Sequence, residues 1–102
     1  MQHARVALVR TKAGAVDEAI KKAHDGLLPL FEKQPGFIAY GIIKTGADSA
    51  VSLTFWQTAQ EAEASVQTSA TWIQANIAPL IESIQNHVGD VSFVVAKGTI
   101  GG

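Results

Sequence analysis

The chain has 102 residues, of which 47% are hydrophobic and 17% charged, with no cysteine and a formal net charge of -1. The near-balanced charge removes the general electrostatic argument for a nucleic-acid or anionic-membrane partner, and the absence of cysteine excludes disulfides, thiolate metal sites and thiol nucleophiles. A single core is expected, burying roughly 65% of the surface of the unfolded chain, and a small organic ligand suits this charge balance better than a polyelectrolyte.

The segment His3 to Lys12 alternates, with Val6 and Leu8 on one face and Arg5, Ala7 and Val9 on the other, and predicts a first strand. No apolar leader precedes it and no stretch approaches the ~20 apolar residues of a membrane span, so a soluble, cytoplasmic protein without a membrane partner is expected. Val16, Ile20, Ala23, Leu27 and Phe31 form an amphipathic helical stripe, with Pro29 bending its last turns and Pro35-Gly36 stopping it. Phe37 to Thr45 and Ser49 to Trp56 read as a hairpin of strands two and three around Gly46-Ala47-Asp48. Thr58 followed by Glu61 matches a capping box and opens a second helical region. Thr68-Ser69 interrupts its first part, and the stripe Ile73, Ile77, Leu80, Ile81, Ile84 and Val88 is expected to continue it, as two helical pieces or as one helix bent near Thr68 and again near Pro79. Asp90 to Lys97 then predicts strand four. Residues 1–98 are expected to form the domain and 99–102 a loose tail.

The order βαββαβ with right-handed crossovers places both helices on one face of a four-stranded antiparallel sheet, a ferredoxin-like α+β fold. Such a sheet should be polar at every second position on its solvated face. Strand two offers Phe37, Ala39, Gly41 and Ile43 against Ile38, Tyr40 and Ile42, and strand three offers Val51, Leu53 and Phe55 against Ser52, Thr54 and Trp56. Both faces are fit for burial, and two helices cover only one. A contiguous apolar sheet face left in water is unusual for a monomer, so a homodimer through the open sheet face is expected.

Gln34-Pro35-Gly36-Phe37 entering strand two, Leu53-Thr54-Phe55-Trp56 leading to Thr58-Ala59-Gln60-Glu61-Ala62, and a closing hydrophobic strand together resemble the antibiotic biosynthesis monooxygenase (ABM) domains of the dimeric α+β barrel superfamily. The resemblance implies a homodimer with a pocket between sheet and helices in each protomer. In some members it implies oxygen chemistry on polyketide-like aromatics without any cofactor. The haem-degrading branch of the superfamily uses an Asn on strand one, and a Trp and a His in the helical region after strand three. The corresponding positions here are Ala7, Ser65 or Val66, and Ala75 or Asn76, so the resemblance does not extend to that branch.

Candidate chemistry is sparse. His3, His24 and His87 show no metal-ligand spacing, and no metal or other cofactor is expected. His24 lies beside the apolar stripe of the first helix and reads either as a rim histidine or as the base that activates a phenolic substrate. His87 reads as a C-terminal helix residue. Tyr40, the sole tyrosine, is a catalytic donor if it faces the helices and interface packing if it faces the dimer. Trp72 and Asn76 share a helical face and read as a substrate-binding wall or as core packing with a satisfied amide. Trp56 belongs to the fold motif, Glu61 and Glu63 to a solvated helix face, and Arg10 either to a strand-edge salt bridge or to an anionic substrate group. The leading expectation is a cofactor-independent monooxygenase acting on an aromatic or polyketide-like molecule. The alternatives are a non-enzymatic, ligand-binding or stress-related dimeric barrel, for which a pocket closed by Trp72, Leu27 and Ile77 would speak, and a lyase or isomerase with no need of oxygen.

Overall fold

The computed structural model describes residues 1–101; Gly102, part of the expected tail, lies outside the described residues. The chain runs β1 (His3–Thr11), α1 (Val16–Lys22), a π-helical turn (Ala23–Leu27), α2 (Leu28–Lys33), β2 (Phe37–Gly46), β3 (Ser49–Trp56), α3 (Ala59–Asn76), a 3-10 turn (Ala78–Leu80) and β4 (Ile81–Asp90). The strands form one antiparallel sheet in the order β2-β3-β1-β4, with the helices on one face, as the ferredoxin-like α+β reading requires. No described helix is long and apolar enough to cross a membrane.

Residues 16–33 form one rod with a widened turn in the middle. Pro29 has no N–H to give to the carbonyl four residues back, and its ring crowds that carbonyl. The chain answers by loosening Ala23–Leu27 into a π-helical turn just ahead of it. The α3 helix starts where the capping signal lies, with the Glu61 N–H donating to Thr58 Oγ1 at 3.2 Å. It passes through Thr68-Ser69 without a break. Thr68 Oγ1 stays inside the helix geometry by bonding the Ala64 carbonyl at 3.2 Å, and it also reaches Gln34 Oε1 at 2.8 Å.

The fourth strand lies nine residues earlier than the sequence pattern places it. The helix stops at Asn76, and the residues read as its continuation build β4 instead. The misleading signal has a physical origin in the register. Thr11 pairs with Ile81 and Arg10 with Ser83, so Glu82 is an extra residue that puts Ile81 and Ile84, three apart, on the same face of the sheet. A bulged strand then copies helical spacing, and Pro79 marks the true break. His87 accordingly sits in β4 opposite Val6, not in a helical turn. Asp90 to Lys97, read as strand four, finds β1 already paired from His3 to Thr11. Only the Val91 N–H adds one further bond, to the Gln2 carbonyl at 2.9 Å. Residues 91–101 form no helix or strand, and Phe93 and Val95 are 83% and 86% exposed.

The two sheet faces are distributed against simple expectation. Beneath the helices lie Arg5, Ala7, Tyr40, Ile42, Ser52, Thr54 and Trp56, while Val6, Leu8, Ile43, Val51, Leu53 and Phe55 share the open face. The more apolar set of β3 therefore looks away from the helices. Phe37 escapes this alternation because the β2–β3 register slips at Ile38, which turns its ring onto Trp56. The buried cluster is Ala23, Leu27, Phe31, Trp56 and Ala62. Its aromatic centre is a chain of edge-to-face contacts, with Phe31 at 4.9 Å from Tyr40 and 5.7 Å from Trp56, and Phe37 at 5.6 Å from Trp56. Trp56 is thus a packing residue and is fully buried.

Candidate active site

Between the sheet and the helical layer lies a cavity of about 50 Å³. Its walls are Ala7, Val9, Ile42, Ala50 and Ile84 from the sheet, Val16, Ile20, Ala23 and Leu27 from the first helical rod, and Ser69, Trp72, Ile73 and Ile77 from the α3 side. Tyr40 and Ser52 give hydroxyls at one end, where Arg5 supplies the single charge on the wall among the described residues.

Arg5 is the residue that reading the sequence passed over. It is 1% exposed, and its guanidinium is held by three neutral acceptors: Ser52 Oγ receives Nη2 at 2.9 Å, Thr54 Oγ1 receives Nε at 3.3 Å, and Asn86 Oδ1 receives Nη1 at 3.3 Å. Its Cζ stands 5.6 Å over the Phe31 ring, a cation–π contact that offsets part of the desolvation. No carboxylate of the described residues is within ion-pair distance of it. Burying a cation without a counter-ion costs several kcal/mol, and burial accordingly pulls Arg5 below its ordinary value, with Tyr40 acting weakly the other way. An arginine remains charged at neutral pH even so. The inward hydroxyls of β3 now have a reason, since Ser52 and Thr54 face the helices to solvate this cation. The signal available in the sequence was the phase of Arg5 with Ala7 and Val9, a lone charge in an otherwise inward-facing row.

The other singled-out residues separate into two groups. Tyr40 faces the helices and lines the cavity; burial pushes its hydroxyl above the usual tyrosine range, with Arg5 and Ser52 pulling part of the way back. It is therefore a neutral hydroxyl at physiological pH. Trp72 lines the same cavity from α3. His24 points elsewhere: its ring is 74% exposed and meets Asp25 Oδ1 at 3.1 Å, outside the cavity wall. Asn76 turns its amide back to the Trp72 carbonyl at 2.8 Å and is exposed. The structure thus brings Tyr40 and Trp72 together with Arg5 and leaves His24 and Asn76 outside. Arg10 is exposed on the open face.

Trp72 owes its position to Gly26. A β-carbon on Gly26 would stand 2.8 Å from Trp72 Cζ2 and 2.9 Å from its Nε1, so only glycine lets the indole lie against the π-helical turn. Gly to Ala inside a helix ordinarily stabilises by up to about 1 kcal/mol. Here the overlap outweighs that gain, and Gly26→Ala is expected to lower stability by about 1–3 kcal/mol, read as a lower urea midpoint with an unchanged slope.

A search of curated protein sequences returned no match. Among solved structures, an antibiotic biosynthesis monooxygenase-type protein of Nitrosomonas europaea superposes with a TM-score of 0.74 at 16% identity, covering 93% of this chain and 94% of its own. SnoaB, a cofactor-independent oxygenase from Streptomyces nogalater, gives 0.71 at 11% identity over 94% and 98%. The monooxygenase from the gene ActVA-Orf6 of Streptomyces coelicolor, in complex with nanaomycin D, gives 0.71 at 14% identity over 94% and 92%. At these identities the likeness is one of fold. The sequence model described as antibiotic biosynthesis monooxygenase matches residues 3–71, more than half of the chain, and the chain therefore belongs to the antibiotic biosynthesis monooxygenase family.

Proposed function

We propose that the protein is a homodimeric, cofactor-independent monooxygenase acting on an aromatic or polyketide-like small molecule held between the sheet and the helices. The observation that carries this reading is the cavity itself, lined mostly by apolar side chains, walled by Trp72 and Tyr40, and charged only at the Arg5 end. Family membership and two fold neighbours named as oxygenases support it. In an anthrone-type substrate the activated CH2 group loses a proton, and the resulting carbanion passes an electron to oxygen. Radical recombination forms the carbon–oxygen bond. Loss of water from the hydroperoxide leaves a carbonyl, so that CH2 and O2 become C=O and H2O, with one oxygen atom in each product. The protein's part is to exclude water and hold the anion in contact with oxygen.

In the proposed dimer the open faces, with Val6, Leu8, Leu53 and Phe55 at their centres, cover one another, and the exposed Phe93 and Val95 add apolar surface outside the sheet. Incubation with anthrone-type substrates, under air and anaerobically, tests the activity. Oxygen consumption above buffer with one oxygen atom retained in the product is expected; none across a broad panel overturns the assignment.

One observation favours the non-enzymatic reading. A volume of about 50 Å³ is smaller than the ~150 Å³ cavity that admits benzene, and Leu27, Trp72 and Ile77 are among the residues that close it. A ring system enters only if this wall moves, and the π-helical turn under Trp72 is one irregular element of that wall. A ligand that binds without consuming oxygen would select this reading.

A further inference from the structure

The wall of the cavity holds a cation and no base. Among the described residues that line it, Arg5 and Tyr40 are the only titratable side chains. The elements packed around Arg5 present Ser52 and Thr54 from β3, Asn86 from β4 and the Phe31 ring from α2, all uncharged. A guanidinium has five N–H donors, and three are engaged. The side chain is almost wholly buried, faces the cavity, and keeps donor capacity for one more acceptor.

We infer that Arg5 is the anion-holding group of this cavity: it takes the ionised oxygen of a planar weak acid, a phenol or enol conjugated with its ring, and admits the substrate as its conjugate base. This rests on the proposed monooxygenase reading for its consequence, because the bound phenolate or enolate is the electron-rich species that oxygen attacks. The proton leaves to water when the ligand binds, and no side chain has to remove it. Substrates whose acidic hydroxyl is blocked by methylation are then excluded. His24, exposed on the first helical rod, has no part in the step.

The test is an anaerobic pH titration of 4-nitrophenol with the full-length protein, following the absorbance of the phenolate. The expected result is that the bound probe ionises about one pH unit or more below the free probe, a tenfold or greater preference for the anion, as an opposite charge within a few Å produces. Tyr40, held neutral above its usual range, does not titrate in this window. Arg5→Gln is expected to abolish the downward shift, and Arg5→Lys to keep part of it, with circular dichroism reporting the fold of each. Failure of the wild-type protein to bind the probe, or binding with no downward shift, overturns the inference even if Arg5→Gln does not fold. The shift without any oxygen consumption overturns the monooxygenase reading and leaves the anion site standing. Undiminished oxygen consumption by Arg5→Gln overturns the anion site alone.

Discussion

Replacing Phe31 by alanine is expected to cost about 3–5 kcal/mol of folding stability and to lower the thermal midpoint by roughly 10 °C or more. The ring is fully buried and is the hub of the layer between sheet and helices. It meets Tyr40 and Trp56 edge-on at 4.9 and 5.7 Å and lies under the Arg5 guanidinium at 5.6 Å. Removing it leaves a cavity against Trp56, which collapse of the surrounding rings fills only in part. It also withdraws the aromatic face that helps a buried cation without a carboxylate to exist. A stability near 5–15 kcal/mol is usual for a domain of this size, so the variant stands close to the unfolding threshold. Phe31→Leu keeps most of the volume and loses the ring contacts, and is expected to cost less. Urea melts of both variants at one protein concentration check the order. Equal losses would assign the effect to the ring contacts and none of it to volume.

Leu53→Asp is expected to separate the proposed dimer into monomers without unfolding them. Leu53 pairs with Val6 on one side and Gly41 on the other, at the centre of the face that the helices leave uncovered. In a monomer the new carboxylate is solvated there. Across a two-fold axis it is desolvated and meets apolar neighbours, and the substitution occurs in both protomers. A penalty of about 2 kcal/mol per protomer, typical of a central interface position, raises the dissociation constant on the order of 1000-fold. Sedimentation equilibrium measures it. Gln85→Glu, on the polar β4 side of the same face, is expected to leave assembly nearly unchanged. A wild-type monomer at micromolar concentration would overturn the dimer directly.

The candidate site was only half visible before folding. Tyr40 and Trp72 stood out by composition, being a sole tyrosine and one of two tryptophans, and both line the cavity. His24 stood out for its chemistry, but helical phase fixes only a direction about an axis. A residue at the margin of the apolar stripe turns outward when the centre of the stripe is filled by Ala23, Leu27 and Phe31. Arg5 was hidden for the opposite reason. Its neighbours in phase are apolar, and arginine at a strand start reads as solvent-facing unless the acceptors that receive it are known. Those acceptors come from β3 and β4, 47 and more residues away.

Strand alternation, the Pro35-Gly36 stop and the Thr58 cap are local physics, and from them the chain by itself determined a ferredoxin-like α+β fold. Three matters were left to the tertiary structure. The place of β4 depended on which segment pairs with the free edge of β1, and Ile81–Asp90, released from the helix at Pro79, occupies it completely. The inward face of β3 depended on Arg5, because a buried guanidinium requires hydroxyl partners and Ser52 and Thr54 supply two of them. The cavity depended on Gly26 letting Trp72 rest on the π-helical turn. Each is a contact between segments distant in sequence, and its free energy exists only once both segments are in place.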